Sequence, residues 1–348
     1  MNQRATIDDV AKLAGVSIAT VSRVISKSDR VRASTREQVL QAIEDLHYQP
    51  DASARALASG RTYTVGCVIP TLDHSIFARA TQAMQTVLSD AGFQLLVGSS
   101  NYESNTELQV VRAFQQRGVD ALVLVGTDHA ASMWDAVTQW GKPVLLSWSC
   151  DPRLPSVGFD NVTIAKHMTE HLLSLGHERI AVVSGFTANN DRARSRIQGV
   201  RQALSAHGLR LPKELLIEQS YNLHGGRLAL QQLMQLDQPP TAIFCAMDLL
   251  AAGVLLEAHR LQIDVPRTLS VCGIDNHELA EVISPGLTTI SLPTYELGRI
   301  TAERVLSALS GEAIPSQTIL PFELVVRGST SKMRATKRPR ISHAMQIH

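Results

Sequence analysis

No stretch of this sequence approaches the ~20 consecutive apolar residues that a membrane-spanning helix needs. The first residues, MNQRATIDDVAKLAG, bring charge early and lack the apolar segment of a secretory leader. The expectation is a protein that stays in the cytoplasm. Cysteine is scarce: Cys67, Cys150, Cys245 and Cys272 are far apart and make no C-x-x-C, which argues against a zinc ribbon. Three of them lie in the apolar runs VGCVIP, AIFCAM and SVCGID and read as buried, reduced thiols. An excess of one charge is missing too. The 33 Lys and Arg residues face 32 Asp and Glu residues, so any attraction to nucleic acid must be local. There is no G-x-S-x-G elbow, phosphate loop or G-x-G-x-x-G, and no enzyme is expected.

What is present is length and apolar content. With 348 residues, 44% of them apolar, the chain can build more than one domain. Residues 1–61 read as short helices without strands. Thr6 can cap a first helix, with Asp9 placed at its positive end. Ile7, Val10, Ala11 and Ala14 recur at helical spacing, and Gly15 suits the left-handed turn that stops the helix. Ser17 caps a second helix with Val21, Val24 and Ile25 inward. A third is expected from the capping-box pattern Ser34-Thr35-Arg36-Glu37, with Val39, Leu40, Ile43 and Leu46 inward. Two helices joined by a tight turn, with a third behind them, make a helix-turn-helix unit.

Such a unit reads DNA by laying its second helix in the major groove. Ile18, Ala19, Ser22 and Arg23 lie on the face away from the core. Arg23 can fork to guanine, and Ile18 and Ala19 can pack on thymine methyls. Ser17 and Thr20 are small hydroxyls suited to phosphates. Nine basic and seven acidic side chains in residues 1–61 leave only +2. Placement therefore matters more: Lys27, Arg30, Arg32 and Arg36 cluster just after the reading helix, where a DNA backbone would run. The bland alternative is a small helical domain with a solvated basic face. After Pro50, DASARALASG is helix-favouring but shorter than the ~12 residues an isolated helix needs in water.

From Thr62 apolar strand-like runs alternate with amphipathic helices, in two series. TYTVGCVIP, FQLLVGS, DALVLVG and PVLLSWS form the first. SVGFD opens the second, which continues through RIAVVSG, LLIEQS, TAIFCAM and LSVCGID. The expected fold class is an all-α headpiece followed by an α/β core of two doubly wound, parallel-sheet lobes. LTTISLP and TILPFELVV read as late strands that return to the lobes. Ligands bind such sheets at the carboxyl ends of the strands. Those ends nominate Ile76, Phe77, Trp148, Asp160, Asn190, Arg196, Tyr221, Asp248 and Asp275. Residues 331–348 are basic and aperiodic, and read as a disordered tail without leucine heptads. His167-Met-Thr-Glu170-His171 has zincin-like spacing, but no third ligand is indicated and Ile164, Met168, Leu172 and Leu175 make the same helix a packing helix.

The run TIDDVAKLAGVSIATVSRVISKSDRVRASTREQVLQAIEDLHYQPDASARAL resembles the headpiece of the LacI/GalR family of bacterial repressors. The likeness continues in PTLDHSIFARA, VDALVLV, VGFDN, HLLSLGHERIAVVSG, RIQGVRQAL, VCGIDNHELAEVISPGLTTI and RGST. It implies a two-lobed core of periplasmic-binding-protein type. It implies base contacts by Ile18, Ala19 and Arg23, and backbone contacts by Ser17, Thr20, Ser22 and Thr35. Residues 51–59 would be a hinge helix, with Leu57 wedged into the minor groove. Asp51 and Ser26 stand where the family usually has asparagine. In the core, residues 62–330, the resemblance makes Arg196 and Asp275 effector contacts, with Phe77, Trp148 and Tyr221 stacking. Met247 replaces a common asparagine there. The expected partners are pseudo-palindromic operator DNA, a second copy of the chain, and a sugar or sugar-acid effector. Crowding of Arg192, Arg194 and Arg196 is what raises the sugar acid. A transport binding protein would need a leader and no headpiece, and an architectural DNA binder would need no effector core.

Overall fold

The computed structural model describes residues 5–25, 31–49 and 60–333. The chain divides into two compact units, Met1–Tyr63 and Thr64–His348. In the first, α1 spans Ile7–Leu13, α2 Ile18–Ile25 and α3 Ala33–Asp45. Thr6 and Asp9 close a reciprocal capping box on α1. Gly15 turns the chain at φ +63°, a conformation in which a Cβ would be strained. Val10, Val21 and Val39 are fully buried where the three helices meet. Each contributes roughly 1.5–3 kcal/mol of apolar burial.

Two expectations for α3 fail. The helix begins one residue before Ser34, with Arg32 at the cap and no side chain capping it. Leu40 is exposed, and Ala42 takes the inward position instead. Val39 and Ala42 make an i, i+3 pair that meets the core more squarely than Leu40 can.

The second unit holds two six-stranded sheets. The first is built from β1 (Thr64–Ile69), β2 (Gln94–Ser99), β3 (Ala121–Val125), β4 (Val144–Trp148), β5 (Ser156–Gly158) and β11 (Gln317–Ile319). Helices α4 (Ser75–Asp90), α5 (Ser104–Gln116) and α6 (Ala131–Thr138) lie between its strands in sequence. The second sheet comprises β6 (Ile180–Ser184), β7 (Leu216–Glu218), β8 (Ala242–Cys245), β9 (Ser270–Asp275), β10 (Thr288–Ser291) and β12 (Glu323–Val325). Its helices are α7 (Asn161–Ser174), α8 (Asp191–Ala206), α9 (Leu223–Met234), α10 (Asp248–Arg260) and the short α11 (Glu278–Val282).

Strand order is β11-β5-β4-β3-β1-β2 in one sheet and β12-β10-β9-β8-β6-β7 in the other, the same winding twice. All neighbours run parallel except β10 and β12. Central strands such as Ala121–Val125 are buried along their whole length, as strands covered by helices on both faces must be.

SVGFD does not open the second lobe, as its place in the series suggested. Its strand β5 lies in the first sheet, between β4 and the edge strand β11. The run TILPFELVV splits into two strands of different sheets, β11 on β5 and β12 on β10. Pro321 stands between them without an N–H to continue a ladder. A further helix, α12 (Thr294–Leu309), was not anticipated; it returns the chain to the first lobe and packs along α4. The chain thus passes between lobes after β5, after β10 and after β11.

Gly298 makes the α12–α4 crossing possible. A Cβ there would lie 2.0 Å from the Ala80 carbonyl oxygen. Gly298→Ala is expected to destabilise the core by about 1–3 kcal/mol, because two helix backbones must separate. Urea unfolding checks this, and an unchanged midpoint would refute the close approach.

Ser331 and Met333 are not loose. The Ser331 amide donates to Ser270 Oγ at 3.1 Å, and the Met333 amide to the Leu175 carbonyl at 2.8 Å. The core therefore continues past residue 330, because these main-chain groups find partners on the second lobe. The rest of the expected tail, from residue 334, lies outside the described residues.

Candidate nucleic-acid interface and ligand cleft

The outward face of α2 matches its expected reading role in shape. Ile18 is 47% exposed, and Ala19, Ser22 and Arg23 are exposed with it, while Val21 and Val24 anchor the other face. Ser17 Oγ accepts the Thr20 amide at 3.2 Å and lies 2.9 Å from Thr20 Oγ1, so the cap is tied on. No acid occupies the first turn of α2. Its free amides and positive dipole end are open to a phosphate. Thr35 lies in the first turn of α3, half-buried. Arg30, Leu57 and the expected hinge segment 51–59 lie outside the described residues.

Between the lobes two cavities meet at His74. One, of about 170 Å³, is lined by Asp73–Ile76, Met247–Leu249, Asp275 and His277. The other, of about 270 Å³, is lined by residues that include Tyr102, Phe186, Asn190 and Tyr221. These residues follow the carboxyl ends of β1, β2, β6, β7, β8 and β9, where doubly wound sheets hold their ligands.

Asp275 closes β9 at φ +115°, and Trp148 closes the equivalent strand β4 at φ +74°. Both conformations are costly for non-glycine residues and cluster at binding sites. Asp275 is 93% buried by its neighbours, being only 7% exposed, and its Oδ1 has no partner among the described residues. Burial pushes its carboxyl well above the ordinary range; Arg196 opposes the shift and Asp248 adds to it. Asp248 is pushed up to about 7 by burial, although the Thr289 hydroxyl and the His277 amide favour its ionised form. Those two groups donate to it at 2.6 and 2.8 Å.

Arg196 is buried and committed, donating to Asn161 Oδ1 at 2.9 Å and to the Ala246 carbonyl at 2.5 Å. Arg192 pairs with Asp191 at 2.9 Å, and Arg194 with Asp128 across the lobes at 2.7 Å. The three arginines that suggested an anionic ligand thus all have protein partners.

Sequence similarity covers both units. The model for bacterial regulatory proteins of the lacI family matches residues 6–51, and that for a periplasmic binding protein-like domain matches residues 169–330. The HTH-type transcriptional regulator DegA of Bacillus subtilis (strain 168) is 33% identical over 336 residues, 95% of this chain and 99% of that protein. The chain belongs to the LacI family. Among solved structures, this LacI-family chain resembles the lac repressor dimer bound to operator and the anti-inducer ONPF, with a TM-score of 0.84 at 26% identity over 94% of this chain and 100% of that one. It also resembles a transcriptional regulator CelR–cellobiose complex, with a TM-score of 0.70 at 28% identity over 94% and 100% of the two chains. It is a DNA-binding transcriptional regulator, not an enzyme. No helix among the described residues is long and apolar enough to cross a membrane.

In this LacI-family regulator the expected effector residues do not all share one wall. Tyr221 and Asp275 line the cavities. Phe77 and Trp148 lie beneath them, each 2% exposed and packed edge to face with ring centres 4.9 Å apart. They form a floor rather than an open stacking platform, because their rings complete the core of the first lobe. Asp160 caps α7 instead: it accepts the Val162 and Thr163 amides at 3.1 and 3.0 Å and the Thr163 hydroxyl at 2.6 Å. A carboxylate with three local donors is a helix cap first.

Of the two histidines of H-x-x-E-H, His171 lies 3.3 Å from the Thr330 hydroxyl and His167 packs on the Phe322 ring. Cys67, Cys245 and Cys272 are buried, and all four cysteines are free. Burial pushes the Cys67 thiol up to about 12. Two cleft residues escaped notice in the sequence: His74 and Tyr102. His74 and Tyr102 follow the first and second strands, so the strand-end rule that nominated Ile76 could have found them.

Proposed function

We propose that this regulator is a repressor whose operator affinity is set by an uncharged, polyhydroxylated effector bound between the core lobes. The observation that carries this reading is the unpartnered Asp275 Oδ1, buried against the cleft. An acceptor held in that state calls for a hydroxyl or N–H donor from a ligand. Engagement of all three arginines favours an uncharged carbohydrate over the sugar acid. The likeness to a CelR–cellobiose complex supports a carbohydrate as the class of effector.

As in the lac repressor dimer, two copies would present two α2 helices to the halves of a pseudo-palindrome. Ile18, Ala19 and Arg23 would read base edges, while Ser17, Thr20, Ser22, Arg30 and Thr35 would hold the backbone. Leu57 would wedge the minor groove. An effector preferring one lobe arrangement would shift the spacing of the two headpieces and hence the affinity.

The test is a footprint of the full chain on DNA upstream of its own gene, with and without neutral sugars. One protected palindrome that a sugar releases supports the proposal; protection indifferent to every sugar refutes the effector half. Arg23→Ala is expected to weaken specific binding about tenfold or more, the magnitude of one lost bidentate base contact. Binding to random duplex should change far less. Parallel losses on both duplexes would make Arg23 a backbone contact instead.

A further inference from the structure

Asp275 Oδ1 is not alone. His74 Nδ1 is also buried without a hydrogen-bond partner among the described residues, and both residues line the cavity of about 170 Å³. They come from opposite lobes: His74 immediately precedes α4, and Asp275 ends β9. The His74 ring is fixed by aromatic neighbours, stacked on Phe77 at 6.1 Å and edge-on to Tyr221 at 5.6 Å. Burial holds the imidazole below its ordinary range, despite the nearby Asp73 carboxylate and Tyr221 main chain. Asp73, Asp248, Asp275 and His277 are the other titratable groups on that cavity. A neutral imidazole carries one N–H and one lone pair. Nδ1 is unpartnered among the described residues, so the tautomer with its proton on Nε2 leaves a lone pair there for a ligand donor.

We propose that His74 is a specificity-determining residue that forms, with Asp275, a two-acceptor clamp, one acceptor from each lobe, for an uncharged polyhydroxylated effector. The proposal rests on reading the cleft as the effector site. A ligand donating to both acceptors bridges the lobes and so favours the arrangement that brings them together. A carboxylate in the same place finds no free cation to meet it, because the three neighbouring arginines are already engaged. The clamp thus selects donors and rejects anions. His74 also divides the two cavities, so the ligand that it grips can extend toward Tyr221 and Tyr102.

Calorimetry on the full chain tests this with a panel of neutral pentoses and hexoses, their monodeoxy analogues and the matching uronic acids. Wild type is expected to bind a neutral sugar and to reject its uronic acid. His74→Phe keeps a ring on Phe77 and Tyr221 but removes the acceptor, and should lose about tenfold or more in affinity, the consequence of a ligand donor left unpaired. One monodeoxy analogue, lacking the hydroxyl that faces His74, should bind wild type and His74→Phe equally, a coupling that general loosening of the site cannot mimic. Equal affinity of the parent sugar for both proteins overturns the clamp alone. Should the variant not fold, a wild type that binds every monodeoxy analogue as tightly as the parent overturns it from the ligand side. If no member of the panel binds wild type, the carbohydrate reading itself fails, and the clamp with it.

Discussion

Asp275→Asn is expected to abolish the response to effector while making the unliganded core more stable at pH 8. Asp275 is a buried carboxyl with one oxygen unpartnered and Asp248 nearby. Ionising it in the empty cleft is unfavourable, because burial removes the water that would solvate the charge and Arg196 compensates only in part. Asparagine removes that burden. It also removes a charge-assisted hydrogen bond to the ligand, worth about 1.5–3 kcal/mol, or roughly tenfold to over a hundredfold in affinity. Urea unfolding at pH 8, paired with effector titration of the operator complex, checks both halves. Lower apo stability in the variant, or an undiminished effector response, would overturn the assignment.

The same groups set a pH dependence of known sign. An ordinary aspartate ionises near 3.8, whereas Asp248 in the folded core ionises near about 7. Between those values the folded chain holds a proton that the unfolded chain has shed. Stability from this group is therefore greatest below about pH 4 and declines as pH rises toward about 7, then levels off. Asp275 acts in the same direction. Asp248→Asn imitates the protonated form and should flatten this slope between pH 4 and 7. A slope that survives in the Asp248→Asn and Asp275→Asn variants alike would place its origin elsewhere.

Much of this architecture can be read from local pattern, and the failures share a cause. Apolar runs such as ALVLV and IAVVS are unmistakable as covered strands, and the helices between them follow from apolar spacing. Which sheet a strand joins is a long-range decision. SVGFD sits between two series in the sequence, and only its pairing with β4 assigns it to the first lobe. In α12, Leu297, Thr301, Ala302 and Val305 have helical spacing, yet Gly298 among them reads as a breaker. Its purpose is contact with Ala80, which no local rule reveals.

The cleft shows the same division. Asp275 and Tyr221 line the cavities because strand ends are predictable places, whereas Arg196 is spent on Asn161 and the Ala246 carbonyl. The identity of Phe77 and Trp148 as a floor, and of Asp160 as a cap, depends on packing in three dimensions. The state of the charges is equally non-local: three crowded arginines read as an anion site until Asp191, Asp128 and Asn161 are placed beside them.

Those same charges predict the largest loss of stability. Asp191→Ala is expected to cost the core about 3–5 kcal/mol, the range for removing one partner of a buried ion pair. Asp191 and Arg192 open α8 with side chains only 13% and 8% exposed. Burial alone would raise the Asp191 carboxyl, but Arg192, then Ser149 and Thr127, hold it below the ordinary range. The pair is pressed against the first lobe so closely that a Cβ at Gly126 would lie 2.2 Å from Arg192 Nη1. Nearby, Asn189 donates to the Tyr102 carbonyl at 3.1 Å. The first turn of α8 is thus a fastening between the lobes, set beside the cleft that the effector would occupy.

Its energy should be concentrated in the dry pair. Arg194–Asp128 also crosses the lobes, but its side chains are 46% and 32% exposed. Water screens such a pair, and Arg194→Ala should cost no more than about 1 kcal/mol. Asp191→Ala strands a buried guanidinium, whereas Asp191→Ala with Arg192→Leu leaves no charge to strand and should recover most of the loss. Urea unfolding of the four proteins, wild type included, decides the matter. If Asp191→Ala and Arg194→Ala were equally mild, the lobes would be held by their shared strand crossings alone. If the double variant were as unstable as Asp191→Ala, the loss would come from the missing surroundings of Asp191, Ser149 and Thr127 among them, rather than from the stranded charge.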